Sequence, residues 1–77
     1  MMSLLELEKG KEGRVVLIQA GRGLINKLDG LGIRPGVSVK KKSVSLVESP
    51  ILISVGRTQI AIGRGMASKI MVETGKK

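Results

Sequence analysis

The chain has 77 residues, 42% of them hydrophobic, and its 14 Lys and Arg against 6 Asp and Glu give a formal net charge of +8. It contains no Cys and no His, which excludes disulfides, Cys/His zinc sites and catalysis by either residue. It also lacks Phe, Trp and Tyr, which excludes the stacking of bases on aromatic rings and the aromatic grooves that hold proline-rich peptides.

The length and charge indicate a single small domain, residues 1–77, with an anionic partner. No stretch approaches the roughly 18 apolar residues of a membrane-spanning helix, so we expect no membrane span. The first residues, MMSLLELEKGKEG, introduce acids too early for a signal peptide. We therefore expect a cytoplasmic protein.

The first two elements are a turn and a strand. The segment SLLELEKG, residues 3–10, predicts one helical turn with Leu4 and Leu7 facing inward and Gly10 at its end. The segment RVVLI, residues 14–18, is rich in β-branched residues and apolar on both faces. That pattern predicts a strand that is covered on each side.

A helix follows the first long strand. Leu24, Leu28 and Leu31 lie at positions i, i+4 and i+7, with Ile25 beside them, and this spacing predicts a short amphipathic helix. We expect Leu24 and Leu28 to face the sheet.

The segment LGIRPG, residues 31–36, predicts how the helix ends. With Gly32 in the left-handed conformation, Leu28 and Ile33 form the hydrophobic pair of a Schellman motif. The next four residues, Arg34-Pro35-Gly36-Val37, fit a type II turn, because Pro sets φ and Gly accepts a positive φ. The motif is a helix end joined to a sharp turn that begins a strand.

The strand VSVKKKSVSLV, residues 37–47, changes its pattern part of the way along. Val37 and Val39 point to one side, whereas Val44 and Leu46 have the other parity, which predicts a bulge near residues 41–43. We expect the three lysines in this stretch to mark an exposed edge or tip.

The segment ILISVGRTQIAI, residues 51–62, predicts a hairpin with a type II′ turn at Gly56-Arg57. This turn places three apolar or β-branched pairs on one face: Val55–Thr58, Ile53–Ile60 and Ile51–Ile62. After it, GRGMAS predicts a tight turn or one helical turn, and KIMV, residues 69–72, a last strand. The predicted fold is mainly β, a small closed or nearly closed SH3-like barrel of about five strands with one short helix after the first long strand.

No constellation of residues indicates catalysis. The carboxylates are scattered, and the serines have no base that could activate them. The two GRG segments are interpreted as turn glycines, and Met66 and Met71 as core residues. We therefore expect no enzyme activity, no cofactor and no metal ligands.

Taken together, SLLELEKGKEGRVVLI, GRGLINKLDGLGIRPGVSV and IAIGRGMASKIMV resemble the ferrous-iron-transport protein A (FeoA) family over about residues 3–72. The resemblance implies an SH3-like barrel, a cytoplasmic location and a role in ferrous iron uptake. Members are thought to act on the cytosolic GTPase part of the FeoB-type iron permease, which would bring the protein to the inner face of the membrane. The family is also described as binding transition metals.

Two functions stay open at this point. The first is an accessory protein that binds the permease, and the second is a repressor-type or nucleic-acid-binding barrel, although without aromatic rings we expect no stable nucleic-acid binding. For the first, the expected contact residues are Arg22, Ile25, Lys27 and Arg34, supported by the structural residues Leu28, Gly32, Pro35 and Gly36. Weak self-association is left open.

Overall fold

The computed structural model describes residues 1–44 and 50–74, which form one antiparallel sheet with two helices. The elements in chain order are β1 (Met2–Ser3), β2 (Glu12–Ile18), α1 (Arg22–Gly30), β3 (Ser38–Val44), β4 (Ile51–Val55), β5 (Thr58–Ile62), α2 (Arg64–Ala67) and β6 (Ile70–Glu73). The strand order is β1-β6-β2-β3-β4-β5, so among the described residues β1 and β5 form the two edges.

The predicted class, mainly β with one short helix after the first long strand, is confirmed. The sheet has six strands rather than about five, because Met2–Ser3 adds a short strand to β6. The segment GRGMAS supplies the single helical turn α2, and the last strand begins one residue later than predicted. None of the helices in residues 1–44 and 50–74 is long and apolar enough to cross a membrane.

The core is entirely aliphatic. Its buried side chains come from the N-terminal turn, from both helices, from the segment that follows α1 and from every strand except β1; they are Leu4, Leu7, Val15, Ile18, Leu28, Ile33, Val39, Ile51, Ile53, Ile62, Ala67, Ile70 and Val72. Branched aliphatic side chains each contribute about 1.5–3 kcal/mol when fully buried. A core of this kind holds a small sheet together without disulfides.

The N-terminal turn folds as predicted and is closed by a capping box. The Ser3 amide donates to Glu6 Oε1 at 2.9 Å, and the Glu6 amide donates to Ser3 Oγ at 3.3 Å. This reciprocal arrangement gives the Ser3 amide a side-chain acceptor and gives the Glu6 amide a second acceptor beside the Ser3 carbonyl. Leu4 and Leu7 face the core, and Gly10 leaves the turn with φ +87°.

The prediction that β2 is covered on both sides is wrong. Val15 and Ile18 are buried, but Leu17 is 43% exposed. The pairing with β6 shifts between Val15 and Leu17, which makes Val16 a bulged residue. Because a bulge adds one residue to one strand, Val15 and Ile18 both reach the core although they are three positions apart. Leu17 is left on the outer face.

The prediction that the three lysines mark an exposed edge or tip is wrong, because β3 is not an edge strand and Lys41 is not exposed. β3 lies between β2 and β4 in the middle of the sheet. Lys40 and Lys42 are exposed, but Lys41 is only 2% exposed. The predicted bulge is confirmed, since the register with β4 shifts between Lys41 and Ser43. The predicted directions of Val44 and Leu46 concern side chains outside the described part of the chain.

The hairpin of β4 and β5 is confirmed in full. Gly56 has φ +61°, and no described residue other than glycine has a positive φ, so the turn is type II′ rather than type I′. All three predicted pairs are present: Val55–Thr58, Ile53–Ile60 and Ile51–Ile62. Turn chemistry and hydrophobic pattern therefore specify the same register.

Candidate functional site

Helix α1 carries three of the four predicted contact residues. It begins at Arg22, with Gly21 as an extended N-cap residue, and ends at Gly30, with Leu31 as the C-cap. Leu28 is fully buried, and Leu24 is half-buried against the core. The other seven residues of α1 are exposed. Most of the helix surface is therefore available to a partner.

The end of α1 is a Schellman motif. The Ile33 amide donates to the Leu28 carbonyl at 2.9 Å, and the Gly32 amide donates to the Asp29 carbonyl at 3.0 Å. Gly32 has φ +91°, the left-handed conformation that this motif requires. The predicted hydrophobic pair, Leu28 and Ile33, is fully buried.

A type II turn follows the helix end directly. Val37 donates its amide to the Arg34 carbonyl at 3.1 Å, and Gly36 has φ +97°. Pro35 occupies the position where its fixed φ is favourable. The Gly36 amide also donates to the Val15 carbonyl at 2.7 Å. This bond ties the turn to β2 and fixes Arg34 relative to the helix.

Arg34 is exposed but is not a free cation. Its Nε donates to Asp29 Oδ1 at 2.5 Å, and its Nη2 donates to the Asp29 backbone carbonyl at 3.2 Å. The two side chains are 53% and 56% exposed, and exposed pairs of this kind contribute about 0–1 kcal/mol. Arg34 therefore adds a second donor to the Asp29 carbonyl, which already accepts the Gly32 amide, and its charge is balanced by Asp29.

The remaining three predicted contact residues do not form one patch. Arg22 and Lys27 are both exposed, but five helical positions separate them by about 140° around the axis. Arg22 lies three residues before Ile25, which is 36% exposed, so these two share a flank. Lys27 lies four residues before Leu31 and shares the opposite flank with it. Each flank therefore combines one cation with one exposed aliphatic side chain.

The i+7 spacing predicts that Leu31 lies on the apolar face of the helix, and this prediction is wrong. It is 41% exposed, whereas Ile33 is fully buried. In the Schellman motif Leu31 is the C-cap residue, and Ile33 pairs with Leu28. Ile33 therefore occupies the position beside the core that the i+7 spacing predicts for Leu31. The Schellman motif predicted from Gly32 already pairs Ile33 with Leu28, so at this position the motif is the better guide than the helical spacing.

Lys41 is a buried lysine whose burial the sequence prediction missed. Its Nζ donates to the Leu5 carbonyl at 2.8 Å and to the Leu7 carbonyl at 2.5 Å. Burial lowers the pKa of Lys41 from its usual value of 10.5, with a smaller contribution from the nearby positive charge of Arg64. The sequence did contain a signal for this burial. Lys41 lies two positions after Val39, so in a strand both side chains point to the same face. Its side chain ties β3 to the N-terminal turn.

The open cavities found among the described residues lie away from the predicted contact residues. One open cavity of about 290 Å³ is lined by Met2, Glu6, Leu7, Glu8, Lys11 and Thr74. A second, of about 400 Å³, is lined by Glu12, Gly13, Arg14, Ser38 and Glu73. Neither contains a predicted contact residue, and no group of three or more carboxylates that could hold a metal occurs in residues 1–44 and 50–74.

Comparison with known proteins gives consistent matches over most of the chain. The model of the FeoA domain family matches residues 2–74. A Methanocaldococcus jannaschii relative named "Putative Fe(2+) transport protein A" is 41% identical over 73 residues, which is 95% of this chain and 87% of that protein. Among solved structures, an iron uptake regulatory protein (FeoA) is 36% identical with a TM-score of 0.84, covering 94% of this chain and 93% of that one.

A further solved structure bears on the fold. Stenotrophomonas maltophilia FeoA complexed with zinc, described as an SH3 domain protein, is 27% identical with a TM-score of 0.80. The match covers 95% of this chain and 91% of that one. The SH3-like fold predicted from the sequence is therefore confirmed by similarity to a solved structure.

Proposed function

Because the chain belongs to the FeoA domain family, an accessory family of Fe(2+) transport, we propose that it binds the cytosolic GTPase part of an FeoB-type ferrous-iron permease. It acts in the cytoplasm and reaches the inner face of the membrane through this partner. The observation that supports contact through α1 is the flank on which Arg22 and the exposed Ile25 lie together.

The chemistry of this flank suits a protein partner. Arg22 has no carboxylate partner among the described residues, where the one ion pair joins Arg34 and Asp29. A guanidinium donates several hydrogen bonds in a fixed geometry, and Ile25 adds apolar area beside it. The net charge of +8 favours an acidic face on the partner and accelerates the encounter.

The rigid end of the helix supports the same interpretation. The Schellman bonds, the type II turn and the Gly36–Val15 bond fix both ends of residues 32–36. A helix held in this way loses little conformational freedom when a partner binds, which lowers the cost of association. The flank of Lys27 and Leu31 is the other side of the same helix and is the alternative contact surface.

The residues present do not fit a bound metal, and no step of this proposal passes through one. The chain has neither His nor Cys, which are the preferred ligands of zinc and iron. Glu6 already accepts the Ser3 amide in the N-terminal turn. Ferrous iron enters this account as the cargo of the permease.

Binding to the purified cytosolic domain of an FeoB-type permease from the same organism tests the proposal. The immobilised chain is expected to capture that domain, and capture is expected to weaken as salt is raised. A 20-base-pair duplex DNA serves as the comparison. Capture of DNA alone, with no capture of the permease domain in low salt, would contradict the proposal and favour the nucleic-acid-binding alternative.

A further inference from the structure

Strand β5 presents an uncovered edge of the sheet. Within residues 1–44 and 50–74 it pairs with β4 alone. The two-residue turn makes Val55–Thr58 a hydrogen-bonded pair, and such pairs alternate with non-hydrogen-bonded ones along an antiparallel ladder. Gln59 and Ala61 therefore direct their amides and carbonyls away from β4.

No described backbone hydrogen bond outside the regular strands and helices involves Gln59 or Ala61. Both residues are exposed, so neither α2 nor a loop within residues 1–44 and 50–74 covers them. The strand reads TQIAI, which contains no charged residue and no proline. Charged residues, prolines and bulges are the usual means of keeping an edge strand from pairing, and the edge of β5 has none of them.

Positive charges stand at both ends of this neutral edge. Arg57 is exposed in the turn before β5, and Arg64, which is half-buried, follows shortly after the strand. Neither has a carboxylate within ion-pair distance among the described residues.

We propose that the β5 edge binds an extended acidic peptide segment, which adds a strand to the sheet. The backbone of the segment pairs with Gln59 and Ala61, and acidic residues at its two ends lie near Arg57 and Arg64. Backbone pairing supplies the affinity in this mode of recognition, and the terminal charges select the partner.

A second copy of the chain is the less favourable occupant. Antiparallel pairing of two β5 strands about Ile60 would bring Arg57 of one copy towards Arg64 of the other. Each chain also carries a net charge of +8, and like charges across an interface oppose association. The proposal concerns a different element from α1, so it stands or falls independently of binding through the helix.

Titration of the full chain with a labelled heptapeptide tests the proposal. The probe has aspartate at both ends and alternating threonine and valine between them. One control peptide replaces the aspartates with lysines, and another places proline at the centre. Fluorescence anisotropy gives the dissociation constant, and amide exchange measured by NMR gives the protection of Gln59 and Ala61.

The decisive variant is Ala61→Pro, matched with Ala61→Val. Proline removes an amide that points away from β4 and so spares the hairpin bonds, whereas valine retains this amide and adds similar bulk. We expect Ala61→Pro to raise the dissociation constant of the aspartate peptide about tenfold and Ala61→Val to change it less than about threefold. We expect both control peptides to bind at least about tenfold more weakly than the aspartate peptide.

Three results of the peptide titration would overturn the proposal. These are no binding of the aspartate peptide, equal binding by Ala61→Pro and wild type, and binding without added protection of the Gln59 and Ala61 amides. If Ala61→Pro does not fold, amide protection in the wild-type chain decides the question. Sedimentation that shows a dimer abolished by Ala61→Pro would assign the edge to a second copy instead.

Discussion

The Ile33 amide donates to the Leu28 carbonyl at 2.9 Å, and the side chains of both residues are fully buried. The hydrogen bond ends the helix, and the two buried side chains pack its last turn against the core. It depends on Gly32, which has φ +91°, and the strand that follows depends on Gly36, which has φ +97°. The orientation of α1 therefore rests on two glycines in the left-handed region.

Replacing Gly36 with valine is expected to destabilise the fold. Its Cβ would meet no atom within 4 Å, so the penalty comes from forcing a β-branched residue to a positive φ. We expect a loss of about 1–3 kcal/mol in the free energy of unfolding, measured by urea denaturation.

The matched control is Gly30→Ala. Gly30 also has open space around its Cβ, but its φ is not positive, and alanine in a helix is favoured over glycine by about 0.5–1 kcal/mol. This variant is expected to be at least as stable as wild type. An unchanged denaturation midpoint for Gly36→Val would show that the turn does not require glycine.

Replacing Lys41 with methionine is expected to loosen the N-terminal turn. Methionine fills a similar volume but cannot donate to the Leu5 and Leu7 carbonyls, which then lose the partner that Nζ gives them. An unsatisfied buried acceptor costs about 1–3 kcal/mol, and removing a buried charge offsets part of this loss.

We expect a net loss of about 1–3 kcal/mol by urea denaturation, with faster amide exchange in residues 3–10. Lys42→Met changes an exposed neighbour and is expected to stay within about 0.5 kcal/mol of wild type. Equal stability of the two variants would remove the structural role of Lys41.

The pH dependence of stability follows from the same residue. Burial lowers the pKa of Lys41 in the folded protein below its usual value of 10.5. Between the lowered value and 10.5 the unfolded chain binds more protons, so the free energy of unfolding rises with pH across this window. Below the lowered pKa this gain is lost.

Subtracting the Lys41→Met curve from the wild-type curve isolates the contribution of this lysine. The difference in the free energy of unfolding, wild type minus variant, is expected to increase as pH rises towards 10.5. A difference that stays flat, or that moves in favour of the variant, would contradict the lowered pKa.

The protein is expected to bind Fe²⁺ and Zn²⁺ weakly, because no group of three carboxylates occurs in the described ranges and the chain lacks His and Cys. Calorimetry at neutral pH is expected to show no stoichiometric sub-micromolar site for either ion. Detection of such a site would contradict this account. Glu6→Gln, Glu8→Gln and Met66→Leu would then identify its ligands.

Local chemistry determined how much of the fold was predictable. The β4–β5 hairpin was predicted to the residue because a two-residue glycine turn and the apolar alternation specify one register. The helix end was predictable for the same reason, since Gly32 and the Leu28–Ile33 spacing lie within one short segment.

Contacts between distant segments were not predictable in this way. The partners of Lys41 lie 34 and 36 residues away, and its burial depends on where the N-terminal turn packs. The bulge at Val16 that exposes Leu17 depends on the register with β6. At the candidate site, the pairing of Arg34 with Asp29 follows from the turn geometry rather than from sequence pattern.

The most direct test of binding through α1 is the association rate of the double variant Arg22→Glu and Lys27→Glu with the cytosolic domain of an FeoB-type permease. The matched control reverses two exposed lysines outside α1, Lys9→Glu and Lys69→Glu, and so has the same net charge.

Rim charges act mainly on association, so we expect the α1 variant to associate about tenfold more slowly than the control at low ionic strength, with the difference shrinking as salt is raised. The single variants Arg22→Glu and Lys27→Glu show which flank makes the contact. If the folded double variant associates as fast as wild type at low salt, α1 is not the contact surface.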